Sequence, residues 1–268
     1  MAVKPHPATA AINKLKGQPL RLEGQVKESD AVRLALLAEH VQRLRYPHYS
    51  PYQTDFTKFR TTMCFTRDES RGGRVAVIPD LPHLRAVDEA LITESHLFIE
   101  KSRRMLLTWE VLAFDLWLAA GGQDPRWPSL MEARENRKVI IAARKLEGEN
   151  GSADFLSRIR FLYDQIEERG LREKWPDFPT ARWRFDQAVF SNGSILSAVA
   201  QGEHQLAGAG VTFLHLEETA RWEEQRASIA TGLQTLTGGG HVAIVTTAQA
   251  GTYCAKIALD QLDPGGSR

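Results

Sequence analysis

The sequence predicts an α/β fold with a mainly parallel central sheet flanked by helices. Three observations predict it. From residue 81 onward, segments with helical spacing of apolar residues alternate with short apolar runs, the order that builds parallel sheets. Val211–Leu216 is a continuous apolar run interrupted only by Thr212 and His215, as a strand buried on both faces requires. A chain of 268 residues, 43% hydrophobic, can bury one large α/β core or a core with a smaller appendage.

The elements follow in order. Residues 1–27 are polar, carry Pro and Lys, and read as a loose arm. Residues 28–45 read as a helix, with Ser29 or Asp30 as cap and Leu34, Leu37, Val41 and Leu44 as its apolar stripe. Residues 46–80, rich in Pro, Tyr and Thr, read as an irregular lead-in with a turn at Gly72-Gly73 and an apolar run over 75–78. A helix is expected over 84–91 and a strand over 97–99. The helix expected over 105–120 is stopped by Gly121-Gly122. Strands are expected over 139–143, 195–199, 211–216 and 242–245, and helices over 153–168 and 219–235. The division is then 1–60 for the arm and helical lead-in, 61–262 for the main domain, and 263–268 for a tail or linker.

Composition excludes several classes. The 34 basic and 33 acidic residues leave a net charge of +1, so any contact with DNA must come from a local patch. Two cysteines far apart in sequence indicate no disulfide framework and fit a reducing compartment. Mean hydropathy is −0.32, and the N-terminus lacks a signal-peptide pattern. Met105–Ala120 is interrupted by Glu110 and Asp115 and is too short to span a bilayer. A soluble, cytoplasmic protein without a membrane contact is expected.

Two segments carry chemistry. In LFIEKSRRMLLTWEVLAFDLW, an apolar strand enters a basic corner and then an apolar helix, with Thr108 in its opening turns. A helix N-terminus offers unpaired N–H groups and partial positive charge, so it suits an anion. The usual phosphate loop has glycines and a lysine before the final Ser or Thr; here the glycines are absent and Leu107 stands at the lysine position. In VTFLHLEETARW, Glu217 and Glu218 directly follow the apolar run. Phosphoryl transfer to water needs one carboxylate near the metal and another to orient the nucleophile.

EKSRRMLLTW resembles the variant phosphate loop of large terminases, the motors that package DNA into tailed-phage heads. In that loop the lysine sits at the start, followed by Ser-Arg, with a Ser or Thr closing it. The resemblance continues through AVAQGEHQLAG, VTFLHLEE and GGGHVAIVTTAQAG, in family order, and through the lead-in FTRDESRGGRVAVIPDLPHLR. It covers roughly residues 64–252. It implies a P-loop NTPase of the ASCE type, using ATP and Mg²⁺. Lys101 would reach the β/γ-phosphates, and the backbone of Ser102, Arg103, Arg104, Met105, Leu106 and Leu107 would wrap them. Arg103 or Arg104 would sense the γ-phosphate. Thr108 and Glu217 would hold the metal, Glu218 would activate water, and Thr246, Thr247 and Ala248 would couple hydrolysis to movement.

Three departures bear on the function. Glu217 stands for the family's Asp and is longer by about 1.5 Å. Ala207 stands where the family has an arginine suited to complete a neighbour's site; spacing suggests Arg221 or Arg226 as substitutes. No nuclease segment follows, so nuclease activity is not expected from this chain. For the base, DLPHLRAV puts His83 or Arg85 at the expected distance, with Tyr52 and Gln53 in SPYQTDF as the fallback. Basic clusters at 134–145 and 169–184, the latter with Trp175 and Trp183, are either solvated faces or tracks for a phosphate backbone.

The resemblance implies an ATPase motor that moves double-stranded DNA into a capsid, as a homo-oligomeric ring on the portal, with a small terminase subunit as a further partner, in the host cytoplasm. The alternatives are a nucleotide-binding assembly component with little hydrolysis, or a helicase-like ATPase outside packaging.

Overall fold

The computed structural model describes residues 50–68, 73–102, 105–132, 134–202, 206, 210–247 and 249–262. The expected arm, the helix over 28–45, Arg103, Arg104, Ala207, Ala248 and the tail lie outside the described residues. The helices are α1 (Pro51–Thr54), α2 (Phe56–Met63), α3 (Pro82–Thr93), α4 (Leu107–Ala119), α5 (Pro128–Glu132), α6 (Ser152–Glu168), α7 (Gln225–Gln234) and α8 (Tyr253–Leu262). The strands are β1 (Phe65–Asp68), β2 (Arg74–Val77), β3 (His96–Lys101), β4 (Lys138–Ala143), β5 (Ala181–Trp183), β6 (Gln187–Phe190), β7 (Ile195–Ala200), β8 (Val211–Glu217) and β9 (Leu236–Thr247).

Seven strands form one sheet in the order β3-β9-β8-β4-β7-β6-β5. The first five run parallel, while β6 and β5 are antiparallel. The α/β expectation holds, with a mixed edge that the sequence reading did not contain. β5 and β6 are short, three and four residues, which leaves little pattern to read.

Helix α4 positions the site. Every residue from Glu110 to Ala119 is buried, so the helix is enclosed on all sides rather than amphipathic. An enclosed helix must pair any charge it carries. Glu110 meets Arg60, whose Nε lies 2.6 Å from Oε1. Arg60 also bonds both oxygens of Asp88 on α3, so one buried guanidinium ties α2, α3 and α4 together. Burial pushes the Glu110 carboxyl well above the usual carboxylate range, with Asp88 adding to the shift and Arg60 opposing it.

The lead-in is therefore not irregular. α2 places Phe56, Phe59 and Met63 in the main core, and β1 pairs with β2 as an antiparallel hairpin. The helix expected over 219–235 is broken into a 3₁₀ turn, Thr219–Arg221, and α7. Strand β9 starts earlier than expected because its Gly-rich opening, LTGGG, is still paired with β8 at Leu236. At the far end of α4, Gly121 takes φ +93 and Gly122 leaves room for Trp117, whose ring would lie 2.2 Å from an added Cβ.

Most side chains of the basic clusters are exposed, among them Arg134, Arg144, Lys145, Arg169, Arg182 and Arg184, while Arg137 and Trp175 are buried. Trp175 is buried against Phe59 and Phe178. Arg137 donates to the carbonyls of Leu118 and Leu130 beneath the sheet. Cys64 and Cys254 are both free thiols in the interior. No helix among the described residues is long and apolar enough to cross a membrane.

Candidate nucleotide site

Lys101 ends β3 and Glu217 ends β8, with β9 between them. Two strand spacings and a two-residue offset along the strands put these positions about 12 Å apart, a gap that a lysine and a glutamate close by reaching toward each other. Ligand crevices in such sheets lie outside the carboxyl ends of the strands. Thr108, in the first turn of α4, completes the convergence. Lys101 Nζ donates to Thr108 Oγ1 at 2.6 Å and to Glu217 Oε1 at 2.8 Å, and Thr108 Oγ1 donates to Glu217 Oε1 at 2.8 Å. Residues 116 positions apart thus meet at one oxygen.

The residue before α4 is a leucine in a backbone conformation that usually calls for glycine. Leu106, the residue before the helix, takes φ 62 and ψ 3, a left-handed conformation that costs a non-glycine residue about 1–2 kcal/mol. It offers the helix no side-chain cap, so the first-turn amides of α4 are not closed by a capping residue. Ser102 is exposed, Met105 is half-buried and Leu107 is buried.

Glu218 also adopts left-handed backbone angles, φ 55 and ψ 37, and its N–H donates to Val245 O at 2.7 Å. Strain of this kind, held in place by surrounding structure, is common at functional sites. Its carboxylate lies between two cations: Oε1 is 3.5 Å from Lys101 Nζ and Oε2 is 3.7 Å from Arg221 Nε. Arg221, considered for a role toward a neighbouring subunit, thus faces Glu218 of its own chain. Arg226 is exposed on α7.

Behind Glu217 stands a charged chain that sequence reasoning missed. His215 Nε2 is 3.0 Å from Glu217 Oε2, and His215 Nδ1 is 2.7 Å from Asp115 Oδ2 on α4. All three are buried. Burial alone lowers the His215 pKa, but Asp115 and Glu217 outweigh it and raise it to about 9. For Glu217, burial acts upward, yet His215 and Lys101 together hold its carboxyl below the ordinary value. Burial pushes Asp115 up, against the pull of His215. The available signal was an acid in an otherwise apolar helix and a histidine in an apolar strand. In the sequence both stand only as interruptions of apolar runs.

Thr246 is buried and its Oγ1 accepts from Ala220 N at 2.9 Å, linking β9 to the turn after Glu218. Thr247 pairs with Lys101 across the β3–β9 ladder. His83 Nε2 lies 3.2 Å from Met105 O, beside the loop. Arg85 is bound to Asp80 and exposed. Gln53 donates to Gly121 O, at the opposite end of α4. A 13-residue helix is about 20 Å long, which separates Tyr52 and Gln53 from Thr108.

These features define an α/β protein with a crevice site at the carboxyl ends of parallel strands. The fold is shared with the large terminase of bacteriophage HK97: the TM-score is 0.51 at 14% identity, over 78% of this chain and 42% of that one. The chain therefore spans less than half the length of the HK97 protein. The large-terminase ATPase domain of Thermus phage P74-26 matches at a TM-score of 0.45 and 12% identity, over 67% of this chain and 69% of that one. The large terminase of another thermophilic bacteriophage, solved in complex with ADP, matches at 0.37 and 11% identity, over 57% of this chain and 34% of that one. No protein-family profile and no curated protein matches the sequence.

Proposed function

We propose that the chain is an ATP-hydrolysing motor domain of terminase type, which couples hydrolysis to movement of double-stranded DNA. The observation that carries this reading is the meeting of Lys101, Thr108 and Glu217 within 2.6–2.8 Å at the mouth of α4. A cation, a hydroxyl and a carboxylate at an uncapped helix start suit a phosphate chain and its counter-ion. The Lys101 ammonium itself stands between the Thr108 and Glu217 oxygens, so a positive charge already fits where these hard donors converge. Such donors suit Mg²⁺.

In this reading Lys101 leaves Glu217 for the β/γ-phosphates when nucleotide enters. Thr108 and Glu217 then hold Mg²⁺, which neutralises charge on the phosphate oxygens. The loop amides from Ser102 to Leu107 wrap the phosphates, with Arg103 and Arg104 adding charge. Glu218 orients and deprotonates the attacking water, and His83 stands at the base. Thr246, Thr247 and Ala248 pass the change at Glu218 to β9. The Thr246–Ala220 hydrogen bond supports that route. The packaging partners follow from the same reading: a homo-oligomeric ring on a capsid portal, a small terminase subunit, and action in the host cytoplasm.

A second reading is a nucleotide-binding component with little hydrolysis. It is favoured by the placement of Glu218, already engaged by Lys101 and Arg221. ATPase assays with and without DNA, over a range of protein concentrations, separate the two. The motor reading expects turnover that Glu218→Gln lowers by about 10²–10⁴-fold with nucleotide binding retained. Normal turnover by that variant would remove Glu218 from the role of base, and absent turnover in the unaltered chain under all conditions would favour the second reading.

A further inference from the structure

Glu217 is gripped from both sides. Its Oε1 faces the crevice, where Lys101 and Thr108 meet it, while its Oε2 faces inward to His215. His215 in turn meets Asp115. A carboxylate oxygen faces each ring nitrogen, so the ring bridges Asp115 and Glu217 in a dry interior. Asp115 spends its Oδ2 on the histidine, and its Oδ1 finds no hydrogen-bond partner among the described residues. A buried acid on an enclosed helix and a buried histidine in a central strand are costly features. Their common product is the orientation of one carboxylate.

Resting on the nucleotide-site reading above, we propose that Asp115 and His215 are positioning residues that lock Glu217 so that it offers one oxygen, Oε1, to the divalent cation of a bound nucleotide. Glutamate carries one more rotatable bond than aspartate, and the length it adds must be fixed if the carboxylate is to meet a cation with defined geometry. His215 fixes it by taking Oε2. Asp115 fixes the ring. Supporting partners behind a metal-binding side chain contribute about 10–100-fold to metal affinity.

The test is Mn²⁺ binding in the presence of ADP, read by electron paramagnetic resonance on the full chain, with melting temperature and metal-free ADP binding measured alongside. Asp115→Asn keeps the shape and an acceptor for the ring. The double replacement Asp115→Leu with His215→Phe removes both groups together and leaves no orphaned partner between them. The double variant is expected to weaken Mn²⁺ by about 10–100-fold and Asp115→Asn, which leaves the ring an acceptor, by less, while metal-free ADP binding stays within about 3-fold in both, a split that a general loss of structure would not produce. Mn²⁺ affinity equal to that of the unaltered chain in both variants would overturn the inference and leave the nucleotide site standing. If the unaltered chain binds neither ADP nor Mn²⁺, the functional reading fails and the inference falls with it.

Discussion

Replacing Lys101 with methionine keeps an unbranched apolar stem and removes the ammonium on which Thr108, Glu217 and Glu218 converge. Two effects follow, and they can be read separately. In the nucleotide-free protein the change strips one partner from Glu217, whose side chain is 1% exposed. Breaking a buried ion pair costs about 3–5 kcal/mol. His215 still holds the other oxygen, and Lys101 is 11% exposed, so the lower end, about 3 kcal/mol, applies. A domain of this size loses about 2–4 °C of melting temperature per kcal/mol, which gives a fall of about 6–12 °C. Toward ATP, the loss of one charged hydrogen bond to phosphate costs about 1.5–3 kcal/mol, or about 10–150-fold in affinity. Thermal melts and titration with a fluorescent ATP analogue measure both. A variant that binds the analogue as tightly as the unaltered chain would refute the placement of Lys101 at the phosphates. An unchanged melting temperature would refute its role as partner of Glu217.

Arg60→Leu is expected to be the most damaging change away from the site, because it strands Asp88 and Glu110 in the interior; a loss of about 3–5 kcal/mol by denaturant unfolding is expected, and a loss below about 1 kcal/mol would contradict the buried network. His241 is buried against Trp127, with ring centroids 3.5 Å apart, and burial lowers its pKa to about 4. The unfolded chain, with an ordinary value near 6.5, then takes up the proton first as pH falls. The His241 contribution is therefore complete above about pH 6.5 and is lost on acidification toward pH 4, so His241→Phe should flatten the stability-versus-pH curve in that window. Equal slopes for the two proteins would show that His241 is not held neutral. Gly122→Ala should destabilise by about 1–3 kcal/mol, since the new methyl meets the Trp117 ring; a neutral result would mean that the ring moves freely.

The parallel part of the sheet was legible because β3, β4, β8 and the helices between them carry the periods of their structures in local sequence. That Lys101, Thr108 and Glu217 come together, with Glu218 beside them, was legible through the resemblance in motif order; the local patterns alone, an acid pair after an apolar strand and a basic corner before an apolar helix, do not single out Lys101. What stayed hidden depends on distant partners. Asp115 looked like a flaw in an apolar helix until His215, 100 residues away, met it. The β5–β6 edge was hidden because Arg182, Trp183 and Arg184 resemble a basic surface run, and only the pairing of Arg182 with Val189 and of Trp183 with Ala188 reveals a strand. The lead-in helix α2 was missed because its buried charge, Arg60, makes the segment look polar; the carboxylates that neutralise it, Asp88 and Glu110, lie on later helices. The left-handed turn at Leu106 was not legible at all, because the usual sign of such a turn is a glycine.

The proposed function requires Lys101 to change partners when nucleotide binds. A structure of the chain with a non-hydrolysable ATP analogue and Mg²⁺ tests this most directly. Phosphates are expected at the mouth of α4, with Lys101 Nζ withdrawn from Glu217 onto a phosphate oxygen, and Thr108 and Glu217 left to the metal. An analogue bound elsewhere, with Lys101 still on Thr108 and Glu217, would contradict it.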